Sequence, residues 1–543
     1  MAQSTTTRPP GEPGKCRPSR AVDVARSVCD ARPVTGAAVV AAPADSAAPR
    51  APLAPLAVWP VLAAAALLVA LELMVAARYG FHRDELYFLA CARHLAWGYV
   101  DQPPLVPAVA RLSTALFGPS VVGLRVLPAL AGGVAVLLTA LTARELGGGR
   151  RAQGLAALAA ATSAEMLATL HLLSTAAFDL FFWVMITFLV VRLVRTGDQR
   201  MWLAVGAATG VGLLNKYNVA FLVAGVVFGL LAGGHARVLR GGWPWAGAAL
   251  ALAIWSPNLV WNAQHHWAAL AMLRSLHKEN ASLGASLSFI PAQLIIVGPV
   301  LVVFWLGGLR WLYRNALGRP LGLAYGALVV LDTLSGAKSY YLGGMYFALF
   351  AAGGVWVEQR LAGRHHPHAT RRLAVRMVVG AAVVLPLALP VLPVGAQAHS
   401  GWEGNINKDL SATVGWQRVV RQVAGVASTL TPTERAHLVV FTGDYGAAGA
   451  VDLYGHRYGL PHAISGHNNY WWWGPGTATD GTTTIAVNLD RTYLQTIFAE
   501  VTPAGTVDTG HGIWTEERGD PIWICRHQKI PWALAWPNAR HYG

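Results

Sequence analysis

"GFHRDELYFLACARHLAWGYVDQPPL" (Gly80–Leu105) follows directly on the apolar run 57–78. It holds three carboxylates (Asp84, Glu85, Asp101), two arginines (Arg83, Arg93) and two histidines (His82, His94). If the preceding run spans a membrane, this stretch is a polar loop at the membrane face. Leu86, Leu89, Ala90, Ala92, Leu95 and Ala96 supply an apolar side, so the loop predicts one or two short amphipathic helices. Trp97 and Tyr99 suit the headgroup level. Asp84 and Glu85 stand where the chain leaves the membrane, and Pro103-Pro104 stiffens the exit beyond Asp101. The charges either solvate a loop or, as a carboxylate pair beside the bilayer, offer a general base.

The rest of the chain supports the membrane reading. Of 543 residues 54% are hydrophobic and 13% are charged, against about 25% charged in soluble domains. The net charge of +15 finds its cause in basic cytoplasmic loops, so no nucleic-acid partner is expected. The four cysteines, Cys16, Cys29, Cys91 and Cys525, show neither a CxxC nor a metal-ligand spacing. They suggest neither a disulfide nor a zinc site.

Residues 1–52 are rich in Ala, Pro, Ser and Arg without apolar periodicity, which predicts a disordered cytoplasmic tail. Eleven apolar runs follow in 53–394, near 57–78, 121–143, 153–170, 174–194, 201–214, 217–234, 244–262, 288–309, 320–334, 340–358 and 373–394. Alternate loops collect arginine: 144–151, 192–200, 237–240, 310–319 and 360–376. The positive-inside rule puts those loops and the N-terminus in the cytoplasm. The Gly80–Leu105 loop, the turn before Asp179, the 263–287 loop, the Lys338 loop and residues 395–543 then face outward. In that last segment "HLVVFTG", "TTTIAVNL" and "PIWICRHQ" read as strands, and "SATVGWQRVVRQVAGVASTL" has helical periodicity. The expected architecture is a mostly α polytopic membrane protein of about eleven spans with a C-terminal extracytoplasmic α/β domain.

Other outward positions carry chemistry. Asp179 in "LLSTAAFDLFFWVMITF" is a charge beside an apolar run, costly unless it faces a cavity or a partner. Lys338 in "LSGAKSYYL", with Tyr340 and Tyr341 beside it, is either a snorkelling lysine or a point charge for a phosphate. Lys216 in "LLNKYN" is a similar case. His265 and His266 in "WNAQHHW" fall in a loop that can cover a lipid-facing entrance; being adjacent, they do not share a helix face. "SGHNNYWWWGPG" offers His467, Asn468, Trp471 and Trp472 either for stacking on a sugar or as an aromatic plug against the membrane. "FTGDYGAAGAVDLYG" is glycine-rich after a strand, yet is no GxGxxG.

The combination of "RDELYFLACARHLAWGYVDQPPL", a further acidic residue on the fourth span and "GAKSYYL" late in the chain resembles the GT-C superfamily of membrane glycosyltransferases. Within it the chain is similar to family 39, the dolichyl-phosphate-mannose protein mannosyltransferases, and to the lipid A aminoarabinose transferases. The resemblance covers roughly 57–394 and is strongest in the first loop; the C-terminal block looks like an accessory domain of actinobacterial members. It implies a polyprenyl-phosphate sugar as donor, a hydroxyl of an envelope glycan, lipid or protein as acceptor, and displacement with inversion at the outer face. Asp84, of the Asp84–Glu85 pair, matches the family's base and Asp179 its second acidic position. Lys338 matches the late basic residue near the lipid phosphate, and Asp101 the aspartate of an Asp-x-Pro-Pro motif. Gln102 replaces the lysine that aminoarabinose-type relatives carry, leaving Arg83, Arg93, His94 and Lys216 as candidates for that phosphate contact. No cofactor is implied with certainty; a divalent metal on Asp84 and Asp179 is left open. The alternatives are a lipid or sugar transporter, which should show internal repeats and paired broken helices, and a non-catalytic sugar-binding membrane protein.

Overall fold

A computed structural model describes residues 52–280, 283–362, 368–399, 407–476 and 478–542. The expected disordered tail, with Cys16 and Cys29, lies outside the described residues.

A helix stands at each expected apolar run, but the helices differ in reach. Val58–Val75, Val121–Glu145, Thr175–Thr196 and Ser339–Leu361 are long and apolar enough to cross a membrane. Ser288–Val297 and Pro299–Arg314 together pass the same test with a bend of 94° between them. Leu105–Phe117, Met201–Leu213 and Val219–Ala232 are apolar but short. The number eleven therefore does not follow from helix length. The run 153–170 departs most: it breaks into Arg150–Ala161 and Ala164–Leu170. Ser163 causes the break, because its side chain accepts from the Met166 N–H (3.2 Å) and starts a new helix.

The Gly80–Leu105 segment contains one helix, Arg83–Arg93, hereafter the loop helix. Its start is written in "HRDE". The His82 ring accepts from the Asp84 N–H (3.1 Å), and Glu85 accepts from the His82 N–H (2.9 Å), a reciprocal cap.

The C-terminal segment forms a five-stranded sheet. The strands are β1 (Val439–Thr442), β2 (Ala463–Ser465), β3 (Thr484–Val487), β4 (Phe498–Thr506) and β5 (Pro521–Gln528). Their order is β2-β1-β3-β5-β4; β1 runs parallel to β2 and β3, and β5 antiparallel to β3 and β4. The three expected strands are β1, β3 and β5, and the expected helix is Trp416–Ser428. The hydrophobic core runs without a break from the apolar helices into the Trp416–Ser428 helix and the sheet.

The glycine-rich run explains that continuity. Tyr445–Tyr454, the docking helix, begins after β1 and is capped by Asp444, whose Oδ1 accepts from the Ala447 N–H (2.7 Å). Its small residues let it lie against the loop helix. A Cβ at Gly449 would stand 2.8–2.9 Å from the Leu86 carbonyl, and one at Gly446 would stand 2.9 Å from Arg83 Cβ. "GDYGAAGA" is thus a close-packing surface, not a phosphate cradle.

Candidate active site

The loop helix carries two adjacent carboxylates on different faces. Glu85 is fully buried. Its Oε1 accepts from Arg125 Nε (2.9 Å) and the Leu173 N–H (3.0 Å); its Oε2 accepts from Arg125 Nη2 (2.7 Å) as well as from His82. Arg125 in turn donates to the carbonyls of Ala76 (2.7 Å) and Gly80 (3.0 Å) and touches His171 Nε2 (3.1 Å), whose other nitrogen meets Glu72 (3.3 Å). This network pins the loop helix to Val58–Val75 and Val121–Glu145.

Asp84 faces the other way, into a cavity of about 440 Å³. Lys338, Tyr340 and Arg83 line the same cavity, with Glu165, Asn407 and Asp409. Ile295, Ile296, Val384 and Leu387 make an apolar wall. Lys338 makes no ion pair among the described residues. Asp84 Oδ1 accepts from the Tyr445 hydroxyl of the docking helix (2.8 Å). Burial first, and the charge of Asp84 after it, push the Tyr445 phenol well above its ordinary range, so it stays a donor at neutral pH. Arg83 Nε lies 3.7 Å from Asp84 Oδ1, and its Nη1 pairs with Glu516.

Asp179 does not line that cavity. It is buried and accepts from Trp183 Nε1 (3.0 Å) and Asn218 Nδ2 (3.0 Å), with Lys216 Nζ 4.0 Å away. Lys216 sits over the rings of Tyr341 (4.6 Å) and Tyr340 (5.1 Å). The Asp179–Lys216 pair thus backs Tyr340, which forms part of the cavity wall. A metal shared by Asp84 and Asp179 would need both in one cavity, and Asp179 is not in the lining of this one. Among the described residues no three His, Cys, Asp or Glu side chains converge to hold one.

The remaining expected site residues lie elsewhere. His94 stacks on Trp473 (4.5 Å between centroids) and Arg93 is exposed, so neither reaches the cavity beside Lys338. Asp101 accepts from the Tyr87 hydroxyl (2.9 Å), and burial pushes its carboxyl up to about 7. Gln102 is buried with no hydrogen-bond partner for its amide among the described residues. His265 stacks on Trp261 (4.0 Å) and meets the edge of Trp472 (5.0 Å), while His266 has a positive φ of 53°. Trp471 and Trp536 exchange indole-to-carbonyl bonds (2.9 Å each), and Asn469 accepts from the Val100 N–H (2.7 Å). These contacts pack the tryptophan run against protein. His467 and Tyr445 line a second cavity next to Arg83.

Glu165 and Tyr445 are among the site residues that the sequence reading missed. Glu165 had a visible signal, a single carboxylate within an expected span. Its carboxylate lies over Gly343, where a Cβ would come within 2.5 Å of Oε1. Tyr445 had none, because its partner lies 361 positions away.

Residues 101–261 match the model of the family described as dolichyl-phosphate-mannose-protein mannosyltransferase. The match includes Asp101, Asp179 and Lys216 and leaves Asp84 and Lys338 outside, so it is narrower than the expected 57–394. A lipid A galacturonosyltransferase, RgtD of Rhizobium johnstonii, is 27% identical over 252 residues, or 44% of this chain and 50% of its own. The chain thus spans about half the length of that curated relative. Among solved structures, ArnT from Cupriavidus metallidurans bound to undecaprenyl phosphate superposes with a TM-score of 0.56 at 15% identity, over 86% of this chain and 97% of its own. Its apo form gives 0.51 at 14% identity with the same coverage. The family match covers 161 residues of this chain, and the likeness to ArnT is one of fold. The helices long and apolar enough to cross a membrane support a membrane location.

Proposed function

We propose that this protein transfers a sugar from a polyprenyl-phosphate donor to a hydroxyl acceptor on the extracytoplasmic side of the membrane, by direct displacement with inversion. The observation that carries this reading is that Asp84 and Lys338 line one cavity. The carboxylate is open on one side and the ammonium is free of any ion pair among the described residues. The apolar wall suits a prenyl chain, and the likeness to a protein bound to undecaprenyl phosphate supports that donor class.

In this reading the acceptor oxygen attacks the anomeric carbon as its proton passes to Asp84. The bond from that carbon to the phosphate oxygen breaks, and the lipid phosphate leaves with the electron pair. Lys338 balances the charge that develops on it. Asp84 needs reach more than an extreme pKa, because the proton moves as the new bond forms. Glu85 fixes the loop helix, and the Asp179–Lys216 pair fixes Tyr340. The acceptor is an envelope glycan, lipid or protein, and the N-terminus is cytoplasmic.

The test is transfer from labelled polyprenyl-phosphate sugars to envelope extracts by purified wild type and Asp84→Asn. The variant is expected to lose about 10²–10⁴-fold in rate. Equal rates would remove Asp84 from the role of base, and no transfer from any such donor by the wild type would overturn the assignment.

A further inference from the structure

The second cavity, of about 260 Å³, lies where the strand order of the sheet reverses. β1 has β2 on one side and β3 on the other, so the chain crosses over between them. In open α/β sheets that crevice, at the carboxyl ends of the strands, is where ligands bind. Each parallel strand sends its next residues there: Asp444 after β1, His467 after β2 and Asn488 after β3. Glu517 closes one side, and Arg83 of the loop helix closes the other. The Tyr445 ring lines this cavity while its hydroxyl bonds to Asp84 in the first. Arg83 therefore lines both cavities, and Tyr445 links them through its bond to Asp84.

We propose that this cavity is a subsite for a neutral, hydroxyl-rich unit of the acceptor, a sugar residue adjoining the one that reacts at Asp84. The proposal rests on the glycosyltransferase reading and says which part of the acceptor the sheet holds. Its chemistry suits hydroxyls. Asp444 is already turned to Ala447 and to Asn488 Nδ2 (3.3 Å), so Asn488 is fixed for recognition. Glu517 is buried among these groups. Burial, then Asp444, push its carboxyl up to about 7, so near neutral pH it both donates and accepts. The Tyr445 and His467 rings pack on each other, 4.7 Å apart, and on Tyr87 and His541, which fixes them as a rigid wall of the cavity. The charge balance excludes an anion: Arg83 is paired with Glu516, and Asp444 and Glu517 remain. The volume falls just below the roughly 300 Å³ at which small-molecule pockets begin, which limits the occupant to about one ring.

The test is direct binding to the purified full-length protein by saturation-transfer NMR. The neutral probes are methyl α-mannopyranoside, methyl β-galactopyranoside and methyl α-arabinofuranoside; the anionic probe is mannose 6-phosphate. At least one neutral glycoside should bind saturably. Its affinity should fall about tenfold in Glu517→Gln and in Asn488→Gly, each of which loses hydrogen bonds, and hold in Lys338→Ala. Glycine keeps the φ of +55° that Asn488 has, so that variant leaves the backbone undisturbed. The inference is overturned if no neutral glycoside binds, if the phosphate binds more tightly, or if Lys338→Ala abolishes binding while the other two do not. A wild type that binds glycosides yet transfers nothing fails the transferase reading alone. One that transfers sugar but binds no glycoside fails this inference alone.

Discussion

The two faces of the loop helix show how one short element serves two purposes. Toward the apolar helices, Glu85 has no exposed side-chain surface, and both of its oxygens accept two bonds each. Toward the cavity, Asp84 keeps 37% of its side chain exposed and accepts one strong bond from Tyr445. A carboxylate saturated by donors holds structure and has no lone pair left for a proton from substrate. A carboxylate held by a single neutral donor is oriented and still free to act. Neighbours in sequence are separated by about 100° around the helix, and that rotation assigns the roles.

The comparison breaks most sharply if Asp84 and Arg125, the partner of Glu85, are changed in turn. Asp84→Asn should abolish transfer and leave thermal unfolding in detergent unchanged. Arg125→Met should do the reverse of that second result. It leaves Glu85 charged and buried without its partner, at a cost of about 3–5 kcal/mol. A double variant, Glu85→Leu with Arg125→Met, should recover part of the loss, because a buried pair replaced by apolar groups no longer pays for desolvation. A double variant as unstable as Arg125→Met would show that the bonds from Arg125 to the Ala76 and Gly80 carbonyls matter more than the ion pair.

Lys338 tests a second charged group of the cavity lining. Lys338→Ala should lower kcat by about 10²–10³-fold, the range seen when one donor to developing charge is removed. Lys338→Arg should restore part of that loss, since the charge remains but its shape differs. An unchanged kcat with a raised KM would instead make Lys338 a ground-state contact to the donor. Tyr445→Phe probes the opposite side with a smaller expected effect. It removes one bond to Asp84 and should cost about tenfold in kcat, with the KM for donor unchanged. A loss confined to thermal stability would reduce Tyr445 to a packing contact between the docking and loop helices.

Much of this site was legible before the fold. The loop charges put Asp84 and Lys338 on one side of the membrane, and the structure lines one cavity with both. The strands β1, β3 and β5 were plain as apolar runs. β2 is three residues long, and β4 contains Pro503 and Gly505 with a register shift between them, so neither carries a clean strand pattern. The grouping of Arg93 and His94 with the phosphate ligands failed for a geometric reason. They end the loop helix, and His94 there meets Trp473, while His82, Arg83 and Asp84 begin it and reach the cavity. The tryptophan run was open to two readings, a platform for a sugar and a plug against the membrane, because both demand the same side chains. The contacts it makes are to protein, and the partners, Trp536 and Val100, are distant in sequence.

Asp101 stands between the two extremes, neither locked like Glu85 nor open like Asp84, and it gives the smallest test. Its carboxyl is pushed up to about 7, chiefly by burial, although the Tyr87 bond acts against the rise. Its ordinary value is about 4. Between those two values the folded protein holds the Asp101 proton while the unfolded chain has released it, so stability falls as pH rises across that window and levels off above it. Asp101→Asn mimics the protonated acid and can still accept from Tyr87. It should match the wild type below about pH 4 and exceed it at pH 8 by on the order of several °C in Tm. Glu517 is raised in the same direction, so the informative quantity is the difference between variant and wild type, not the slope of either. If the variant is the less stable at pH 8, the Asp101 charge is stabilised by a partner, and the loop holds a second carboxylate fixed in its ionised form, as Glu85 is by Arg125.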